Sequence, residues 1–335
     1  MNTVKSVSAS TAGVIPDWVL SSREPVLLRG LVSHWPVVEA GLQSDAQVSA
    51  YLERFYQGRP VTYYQCDPSA QGKIFYNDNY SGFNFKRSEA NLSQVLRLLE
   101  QGRGAAEAPV YYIGSTLVDE WLPGFQEDNR LTLEGVSEPL VSVWLGNQSV
   151  VSAHYDCPNN IVCNVAGRRR FSLFPPDQLE NLYVGPLDVT PSGRPISLVD
   201  IDNPDLEKFP KYQIAEQQKR VVELGAGDAL FIPGMWWHHV RALENLNVLV
   251  NYWWRSQPDY MSNPEYVLHH ALLSLRGLPQ EQREIWKNIF NHYIFDYQED
   301  NHRHIPPQVL GVLAPAHRSL AKRIRAHLAS IFNRP

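Results

Sequence analysis

The amino-acid sequence predicts a mainly β fold, a sandwich or barrel, with flanking helices and a helical C-terminal region. Its centre consists of short apolar or alternating runs separated by turn residues, a spacing typical of stacked or closed sheets. After Pro258 the apolar residues change to helical spacing. The chain of 335 residues is 44% hydrophobic, which allows a large core and excludes general disorder. The central runs are Val110–Ile113, Leu140–Gly146, Val150–Tyr155, Ile161–Val165, Arg170–Phe174, Arg220–Glu223, Ala229–Ile232 and Val248–Trp253.

The N-terminal third alternates between strand and helix patterns. A β-rich run within Glu24–Val38 precedes a Trp-Pro pair, which indicates a strand followed by a helical turn. We expect a helix over Ser44–Tyr56, a strand over Val61–Gln65 and a helix over Leu92–Glu100. Residues 73–86 are aromatic and rich in turn residues, a composition typical of a hairpin and binding loop.

Two later segments depart from the strand pattern. A long polar, Pro-rich insertion covers residues 175–219, and a loop of that length in a compact domain is usually functional or disordered. Helices are then expected over Val267–Leu275, Glu281–Tyr293 and Leu320–Ile331. The last of these is amphipathic with a basic outer face, which fits a packed surface helix, a dimerisation helix, or a membrane or nucleic-acid contact.

Charge and cysteine content narrow the class of protein. The net charge is −5 with a pI near 6.1, and the Lys and Arg residues are mostly scattered, so we expect no nucleic-acid partner. The three cysteines, Cys66, Cys157 and Cys163, show no CxxC spacing, which argues against a disulfide framework and a thiolate zinc site. No apolar run is long enough for a signal peptide or a membrane span. We therefore expect a soluble cytoplasmic protein in a reducing compartment, with no membrane partner.

Two histidine motifs point to a metal site. In the segment VSAHYD, His154 and Asp156 are two residues apart in an apparent strand, so their side chains leave the same face and Tyr155 leaves the other. The segment IPGMWWHHV, on another strand, adds His238 and His239. Two histidines and one carboxylate leave adjacent coordination positions open, which suits Fe(II) with a chelating co-substrate and O₂. A closed structural zinc site would not allow this.

The three arginines Arg168, Arg169 and Arg170 lie between these motifs. By strand alternation, Arg169 shares a face with the apolar Phe171, while its two neighbours face outward. An unpaired guanidinium inside a barrel is costly unless an anion is bound there. Arg169 is therefore a candidate for binding the distal carboxylate of 2-oxoglutarate. The alternative is a solvated turn that carries all three charges.

Several motifs together resemble the JmjC/cupin-like hydroxylases, particularly the type of asparaginyl hydroxylase that modifies hypoxia-inducible factor. The motifs occur in the same order and cover most of residues 24–255. They are EPVLLRGLVSHWPVV, FYNDNYSGFNF, SAHYD, FSLFPPDQLENLY, VDIDNPDLEKFP, IPGMWWHHV and VNYWW.

This resemblance implies a double-stranded β-helix (cupin or jelly-roll) core in a catalytic domain over residues 1–258, with N-terminal flanking elements. It also implies a C-terminal helical region over residues 259–335 that forms a homodimer. The iron ligands implied by the resemblance are His154, Asp156 and His238, where the position after the two tryptophans selects His238 over its neighbour.

The resemblance further assigns the co-substrate contacts to Tyr112, Asn160 and Asn251. Arg169 stands where the family has a lysine, which keeps the charge but changes its reach. Val151 stands where the similar hydroxylase has a threonine that contacts the co-substrate, which removes one hydrogen bond.

The implied function is hydroxylation of a C–H bond by an Fe(II)- and 2-oxoglutarate-dependent oxygenase, with release of succinate and CO₂. The substrate is a protein or peptide side chain, or a small molecule. Pro195 and Ile196 stand where the similar hydroxylase has an Arg-Gln pair that contacts its target, so asparaginyl hydroxylation does not carry over. The alternatives are N-methyl-lysine demethylation, which releases formaldehyde, a non-catalytic cupin-like binding protein, and a cupin metal hydrolase or isomerase that does not depend on 2-oxoglutarate.

Overall fold

The computed structural model of the protein describes residues 3–8, 13–104, 108–191 and 193–332. The chain divides into two compact units, Met1–Ser256 and Gln257–Pro335. The first unit carries the β-sheets, and the second is helical. Within the described ranges, no helix is both long and apolar enough to cross a lipid bilayer.

Two β-sheets form the centre of the first unit. Their strands are β1 (Lys5–Ser8), β2 (Val26–Arg29), β3 (Val61–Cys66), β4 (Lys73–Ile74), β5 (Phe85–Ala90), β6 (Val110–Leu117), β7 (Leu140–Gly146), β8 (Val150–His154), β9 (Asn159–Ala166), β10 (Arg169–Phe174), β11 (Arg220–Leu224), β12 (Ala229–Ile232), β13 (Trp237–Ala242) and β14 (Asn247–Trp254). The larger sheet is 9-stranded in the order β1-β2-β12-β9-β14-β7-β6-β3-β5, and the smaller is 5-stranded in the order β11-β10-β13-β8-β4. Most neighbouring strands are distant in sequence, as in a jelly roll. The predicted mainly β fold with flanking helices is confirmed.

Each central run predicted as a strand is a strand in the structure, with bounds that differ by a few residues at most. The histidine pair lies on β13, whose sequence WHHVRA shows no apolar alternation. This is because side chains on both faces of the strand are buried: His238 and His239 point to opposite faces and are 5% and 3% exposed. A period of two in hydrophobicity therefore does not mark this strand.

The larger sheet packs one face against helices and presents the other to a cavity. Along β14, Val248, Val250 and Tyr252 belong to the main apolar core, together with helix residues such as Leu52. The alternate side chains, Leu249, Asn251 and Trp253, line the cavity. Strand alternation therefore separates the structural face of β14 from its functional face.

Helices cover the structural face and the ends of the sheets. They are α1 (Asp17–Leu20), α2 (Pro36–Gln43), α3 (Asp45–Glu53), α4 (Leu92–Gln101), α5 (Val118–Trp121), α6 (Phe125–Asp128) and α7 (Tyr212–Gln218). Gly41 brings α2 onto β9: a Cβ at this position would lie 2.5 Å from the carbonyl oxygen of Val165. Glycine is therefore required for this close approach of helix and strand.

The insertion over residues 175–219 is a packed segment that includes α7. Leu182, Val199 and Phe209 are buried in a separate apolar cluster with Trp237 of β13. The Ser197 backbone N–H donates to the Ala153 carbonyl at 2.7 Å, so the insertion extends the edge of β8. The insertion is therefore ordered, and disorder, one of the two interpretations of its length, is wrong.

Two ion pairs hold the insertion against the smaller sheet. Lys73 Nζ on β4 pairs with Asp200, and Arg241 Nε on β13 pairs with Asp202 at 2.7 Å. Both carboxylates belong to the VDIDNPDLEKFP motif. The motif thus anchors the insertion through its acidic residues.

The aromatic segment over residues 73–86 is a hairpin, as predicted. It begins at β4 and ends in β5, and an antiparallel bridge joins Tyr76 to Phe83. The Tyr76 side chain is 3% exposed, and its hydroxyl donates to the Val189 carbonyl at 2.7 Å. Tyr76 is therefore a core residue that connects the hairpin to the insertion.

The second unit contains α8 (Pro264–Ser274), α9 (Gln280–Phe290) and α10 (Arg318–Phe332). The predicted helix over Glu281–Tyr293 ends earlier, and a π-helical turn over Asn291–Phe295 follows it. Of the described side chains in this unit, the buried ones are Leu320 and His302. Large apolar side chains are exposed on its helices, including Leu273 at 82%.

Candidate metal centre

His154, Asp156 and His238 converge at one end of the smaller sheet. One ligand atom from each of the three lies within 4.8 Å of the others. His154 ends β8 and faces His238 across the antiparallel pair of β8 and β13, with ring centroids 4.2 Å apart. Asp156 follows the end of β8 rather than lying in the strand, and its Oδ2 is 3.7 Å from His238 Nε2.

Backbone carbonyls fix the orientation of both imidazoles. Nδ1 of His154 lies 2.9 Å from the Ser152 carbonyl, and Nδ1 of His238 lies 3.0 Å from the Trp236 carbonyl. A carbonyl oxygen only accepts, so each Nδ1 carries the proton and donates it. Each Nε2 is then free to bind a metal, which is the usual arrangement for a histidine ligand.

Burial keeps His238 in the form that a metal requires. The ring is 5% exposed, and burial, together with the neighbouring His154, lowers the pKa of His238 to about 4, against the opposing effect of Asp156. The imidazole is therefore neutral near pH 7 and can bind a cation without first losing a proton.

The donor set fits Fe(II). Two imidazole nitrogens and one carboxylate oxygen lie at the wall of an open cavity, so further coordination positions face the cavity rather than protein. The free cysteines, Cys66, Cys157 and Cys163, are absent from this ligand set. The set therefore matches an open nitrogen-and-oxygen site and not a closed thiolate site.

The cavity has a volume of about 500 Å³ and lies between the two sheets. Its wall includes Val151, Arg169 and His238 from the smaller sheet, and Tyr112 and Asn251 from the larger. A cavity of this size holds a small co-substrate and part of a second molecule. All seven side chains assigned to the site from the sequence line it: His154, Asp156, His238, Tyr112, Asn160, Arg169 and Asn251.

Arg169 is a buried cation without an acidic partner among the described residues. Its side chain is 4% exposed, and its Nε has no hydrogen-bond partner. Burial lowers the pKa of Arg169 to about 10, and the adjacent Tyr112 opposes this shift. The guanidinium remains charged at neutral pH, so the cavity contains an unmatched positive charge suited to an anion.

The neighbouring arginines differ from it as alternation predicts. Arg168 pairs with Glu244 at 2.6 Å, and its side chain is 60% exposed. Arg170 pairs with Glu223 at 2.8 Å and is 42% exposed. Only the middle arginine of the three points into the cavity, so the alternative of a fully solvated turn is wrong.

A row of hydrogen bonds orders the amide groups on the opposite wall. Trp144 Nε1 donates to Asn251 Oδ1 at 2.7 Å, and Asn251 Nδ2 donates to Asn160 Oδ1 at 3.1 Å. Asn251 and Asn160 are 1% and 4% exposed. The row fixes the orientation of both amides, and the indole of Trp144 is a member that the sequence did not reveal.

The insertion supplies Arg194 to the metal centre. A β-bridge joins His154 to Ile196, and two residues earlier Arg194 Nε lies 3.8 Å from Asp156 Oδ1. The two oxygens of Asp156 therefore have different surroundings, one beside His238 and one beside a guanidinium. This contact depends on the path of the insertion, which no local motif specifies.

His239 lies on the opposite face of β13 from the metal ligands. Its Nε2 is 3.8 Å from Asp202 Oδ2, in the contact between the smaller sheet and the insertion. Trp236 and Trp237 are also packing residues: Trp236 Nε1 donates to the Arg23 carbonyl at 2.9 Å, and Trp237 packs edge-on against Tyr155. The structure thus brings His238 alone of the histidine pair to the metal centre.

The rim of the cavity contains residues that the sequence did not single out. Trp253 on β14 and Arg255, just past its end, continue the row of cavity-lining residues beyond Asn251, and Glu138 lines the same cavity. Counting every second residue from Asn251 would have found the first two. Nothing in the sequence places Glu138 there.

Comparisons with known proteins agree with the fold. The family model of the cupin-like domain matches residues 13–260. Lysine-specific demethylase JMJ31 of Arabidopsis thaliana is 36% identical over 137 residues, which is 40% of this chain and 24% of that protein. The tRNA wybutosine-synthesizing protein 5 of Gallus gallus is 34% identical over 148 residues, or 40% of this chain and 43% of that protein.

HSPB1-associated protein 1 of Rattus norvegicus matches over a longer region. It is 32% identical over 272 residues, which is 76% of this chain and 53% of that protein. The chain therefore spans between about a quarter and about half of the length of these curated relatives.

Proposed function

This chain belongs to the cupin-like domain family, and on that premise we propose that it is an Fe(II)- and 2-oxoglutarate-dependent oxygenase. It hydroxylates a C–H bond of a protein or peptide side chain and releases succinate and CO₂. The family membership confirms the cupin-like part of the resemblance found in the sequence, while the asparaginyl hydroxylase type stays a prediction. The relatives whose names specify demethylation or tRNA modification extend well beyond the matched region, so their activities do not transfer as a whole.

One observation carries the proposal: a metal-binding triad and an unmatched buried cation share one cavity. The triad consists of His154, Asp156 and His238, and the cation is Arg169. A metal-binding protein without a co-substrate has no use for a guanidinium that lacks a counter-ion. The combination supports a metal that binds together with a dicarboxylate.

In this proposal, one group of residues holds the iron and another binds and orients 2-oxoglutarate. His154 Nε2, His238 Nε2 and an Asp156 carboxylate oxygen hold the iron, and Arg169 binds the distal carboxylate of 2-oxoglutarate with its planar fork of donors. When bound, Fe(II) supplies the activation of O₂ that couples decarboxylation of 2-oxoglutarate to oxygen insertion into a C–H bond. Asn160 and Asn251 hold the co-substrate against the opposite wall.

The proposed anion site differs from that of the similar hydroxylase at Val151. Its apolar side chain lines the cavity where that enzyme has a threonine, so one hydroxyl donor is missing. Ser152 does not replace it, because Ser152 is not among the residues that line the cavity. Arg169, with more donors than a lysine, compensates for the missing hydroxyl.

Succinate production tests the proposal. Purified protein with Fe(II), 2-oxoglutarate and O₂ should form succinate at a slow rate even without a substrate, and Asp156→Ala should abolish this metal-dependent turnover. Rapid succinate formation by the Asp156→Ala protein would contradict the assignment of the ligands.

Demethylation of N-methyl-lysine is the second candidate, since two relatives are named lysine-specific demethylases. Both reactions begin with hydroxylation, but a hydroxylated N-methyl group collapses to formaldehyde. Formaldehyde release from a methyl-lysine peptide would support the demethylase, and a stable gain of one oxygen atom would support the hydroxylase. A non-catalytic cupin-like protein would give neither product.

We further propose that the second unit forms a homodimer. Its helices expose Tyr266, Leu273 and Phe295 at 68%, 82% and 73%, and few of its described side chains are buried. A unit with so small a core of its own requires additional burial to be stable. A second copy provides it, because two identical apolar helix faces are complementary across a twofold axis.

A further inference from the structure

The charged side chains that line the cavity leave one positive charge in excess: Arg169, Arg194 and Arg255 against Asp156 and Glu138. A divalent cation and a dianionic co-substrate together add no net charge. Glu138 and Arg255 are exposed and form the mouth of the cavity. The loaded enzyme therefore presents a net positive charge to an incoming substrate.

Arg255 is the available cation at this mouth. It follows the end of β14 and lies on the same face as Trp253 and Asn251, all of which line the cavity. Its side chain is exposed, and no ion pair or hydrogen bond joins it to another described residue. Arg194, by contrast, already contacts Asp156.

The cavity wall also contains buried N–H groups that have no acceptor in the described part of the chain. Two of its side chains have a buried nitrogen without a partner among the described residues: Arg169 at Nε and Trp253 at Nε1. Arg169 is assigned to the co-substrate. The Trp253 indole N–H, two residues before Arg255, is then the donor that has no assigned acceptor.

We propose that the substrate is a peptide segment that carries a carboxylate near the reacting carbon, and that Arg255 binds this carboxylate. The inference rests on the proposed oxygenase function and adds the class of substrate. Arg255 acts as a specificity-determining residue through the bidentate geometry that guanidinium and carboxylate share.

Glu138 favours a peptide over a nucleic acid as the source of the negative charge. It lies at the same mouth with a left-handed backbone conformation, φ 47°, a strain that is retained at ligand-binding positions more often than elsewhere. A polyphosphate backbone would meet this carboxylate, whereas peptide N–H groups would donate to it.

The test measures binding of labelled Gly-Ser peptides with a central Glu, Gln or Lys to the anaerobic protein loaded with Fe(II) and 2-oxoglutarate. For the wild type, we expect the Glu peptide to bind about fivefold to tenfold more tightly than the Lys peptide, with Gln between them. Arg255→Glu should reverse this order. Arg97→Glu, which reverses an exposed charge on α4 outside the cavity, should keep it.

Equal binding of the Glu and Lys peptides, or an order that Arg255→Glu leaves unchanged, would overturn the inference. Tighter binding of an oligouridine than of the Glu peptide would overturn it in favour of a nucleic-acid substrate. The visible charge-transfer band of the same loaded samples reports separately on the proposed function. If the band is absent, the oxygenase assignment fails; if it is present without a preference for the acidic peptide, only the substrate class fails.

Discussion

Arg194 Nε lies 3.8 Å from Asp156 Oδ1, so the insertion places a guanidinium beside the carboxylate of the metal centre. The other oxygen of Asp156, Oδ2, faces His238. A cation on the outer oxygen holds the carboxylate in one rotamer and directs the inner oxygen to the metal. Through this contact the insertion is part of the candidate metal centre.

Removal of this positioning contact should weaken metal binding. We expect Arg194→Met to raise the dissociation constant for Fe(II) by about tenfold, a typical effect of losing a group that orients a ligand. Anaerobic competition with a metal-sensitive chromophore measures it. Arg241→Met, which removes an ion pair from the same insertion without touching Asp156, is the matched control. Equal effects of the two substitutions would assign Arg194 only a general structural role.

The two adjacent histidines of β13 should respond differently to substitution. His238→Ala removes a proposed ligand and should reduce bound Fe(II) below detection under conditions that saturate the wild type. His239→Gln removes a side chain on the opposite face, so the stoichiometry of bound iron should stay at one per chain even if the protein becomes less stable. Metal content and a thermal melt, measured on both variants, separate the two effects. Loss of iron from a folded His239→Gln protein would make the assignment of His238 alone wrong.

The unmatched charge of Arg169 should be unfavourable in the absence of an anion. We expect Arg169→Met to increase the free energy of unfolding of the metal-free protein by about 1 to 2 kcal/mol, because an apolar side chain of similar length avoids the desolvation of the guanidinium. Chemical denaturation measures the change, with 2-oxoglutarate present or absent. A loss of stability in Arg169→Met would mean that the guanidinium has a partner within the fold.

Self-association should depend on the second unit. We predict that the wild-type chain is a dimer in light scattering and that Leu273→Glu, on α8, shifts it to a monomer at micromolar concentration, because the charge would be buried in the interface. Leu42→Glu replaces a comparably exposed leucine, 69% against 82%, on the first unit and should remain dimeric. A monomeric wild type, or dissociation of both variants alike, would contradict the proposed interface.

Strand alternation predicted more of the site than any other feature of the sequence. It placed Arg169 inside and its neighbours outside, because a strand between two packed layers has only two faces. It did not decide between His238 and His239, both of which are buried. The motif resemblance made that choice, and the structure brings His238 together with His154 and Asp156.

The remaining residues could not be predicted because they depend on the path of irregular chain. Arg194 reaches Asp156 only because Ile196 pairs with His154 and acidic residues of the insertion bind β4 and β13. Asp156 itself lies past the end of β8, so its position is set by the following turn rather than by alternation. Such placements follow from contacts between segments that are distant in sequence, and a single sequence does not reveal them.

The central claim is that Arg169 and the metal-binding triad form one site for Fe(II) and 2-oxoglutarate. Anaerobic titration of the Fe(II)-loaded protein with 2-oxoglutarate, followed by the visible metal-to-ligand charge-transfer band, tests it most directly. We predict a saturable band for the wild type and for the exposed control Arg168→Ala, and a requirement for about a hundredfold more co-substrate in Arg169→Ala, since a buried charge-assisted pair contributes about 3 kcal/mol. A wild-type protein that binds Fe(II) but gives no band, or an Arg169→Ala protein that titrates like the wild type, would contradict the claim.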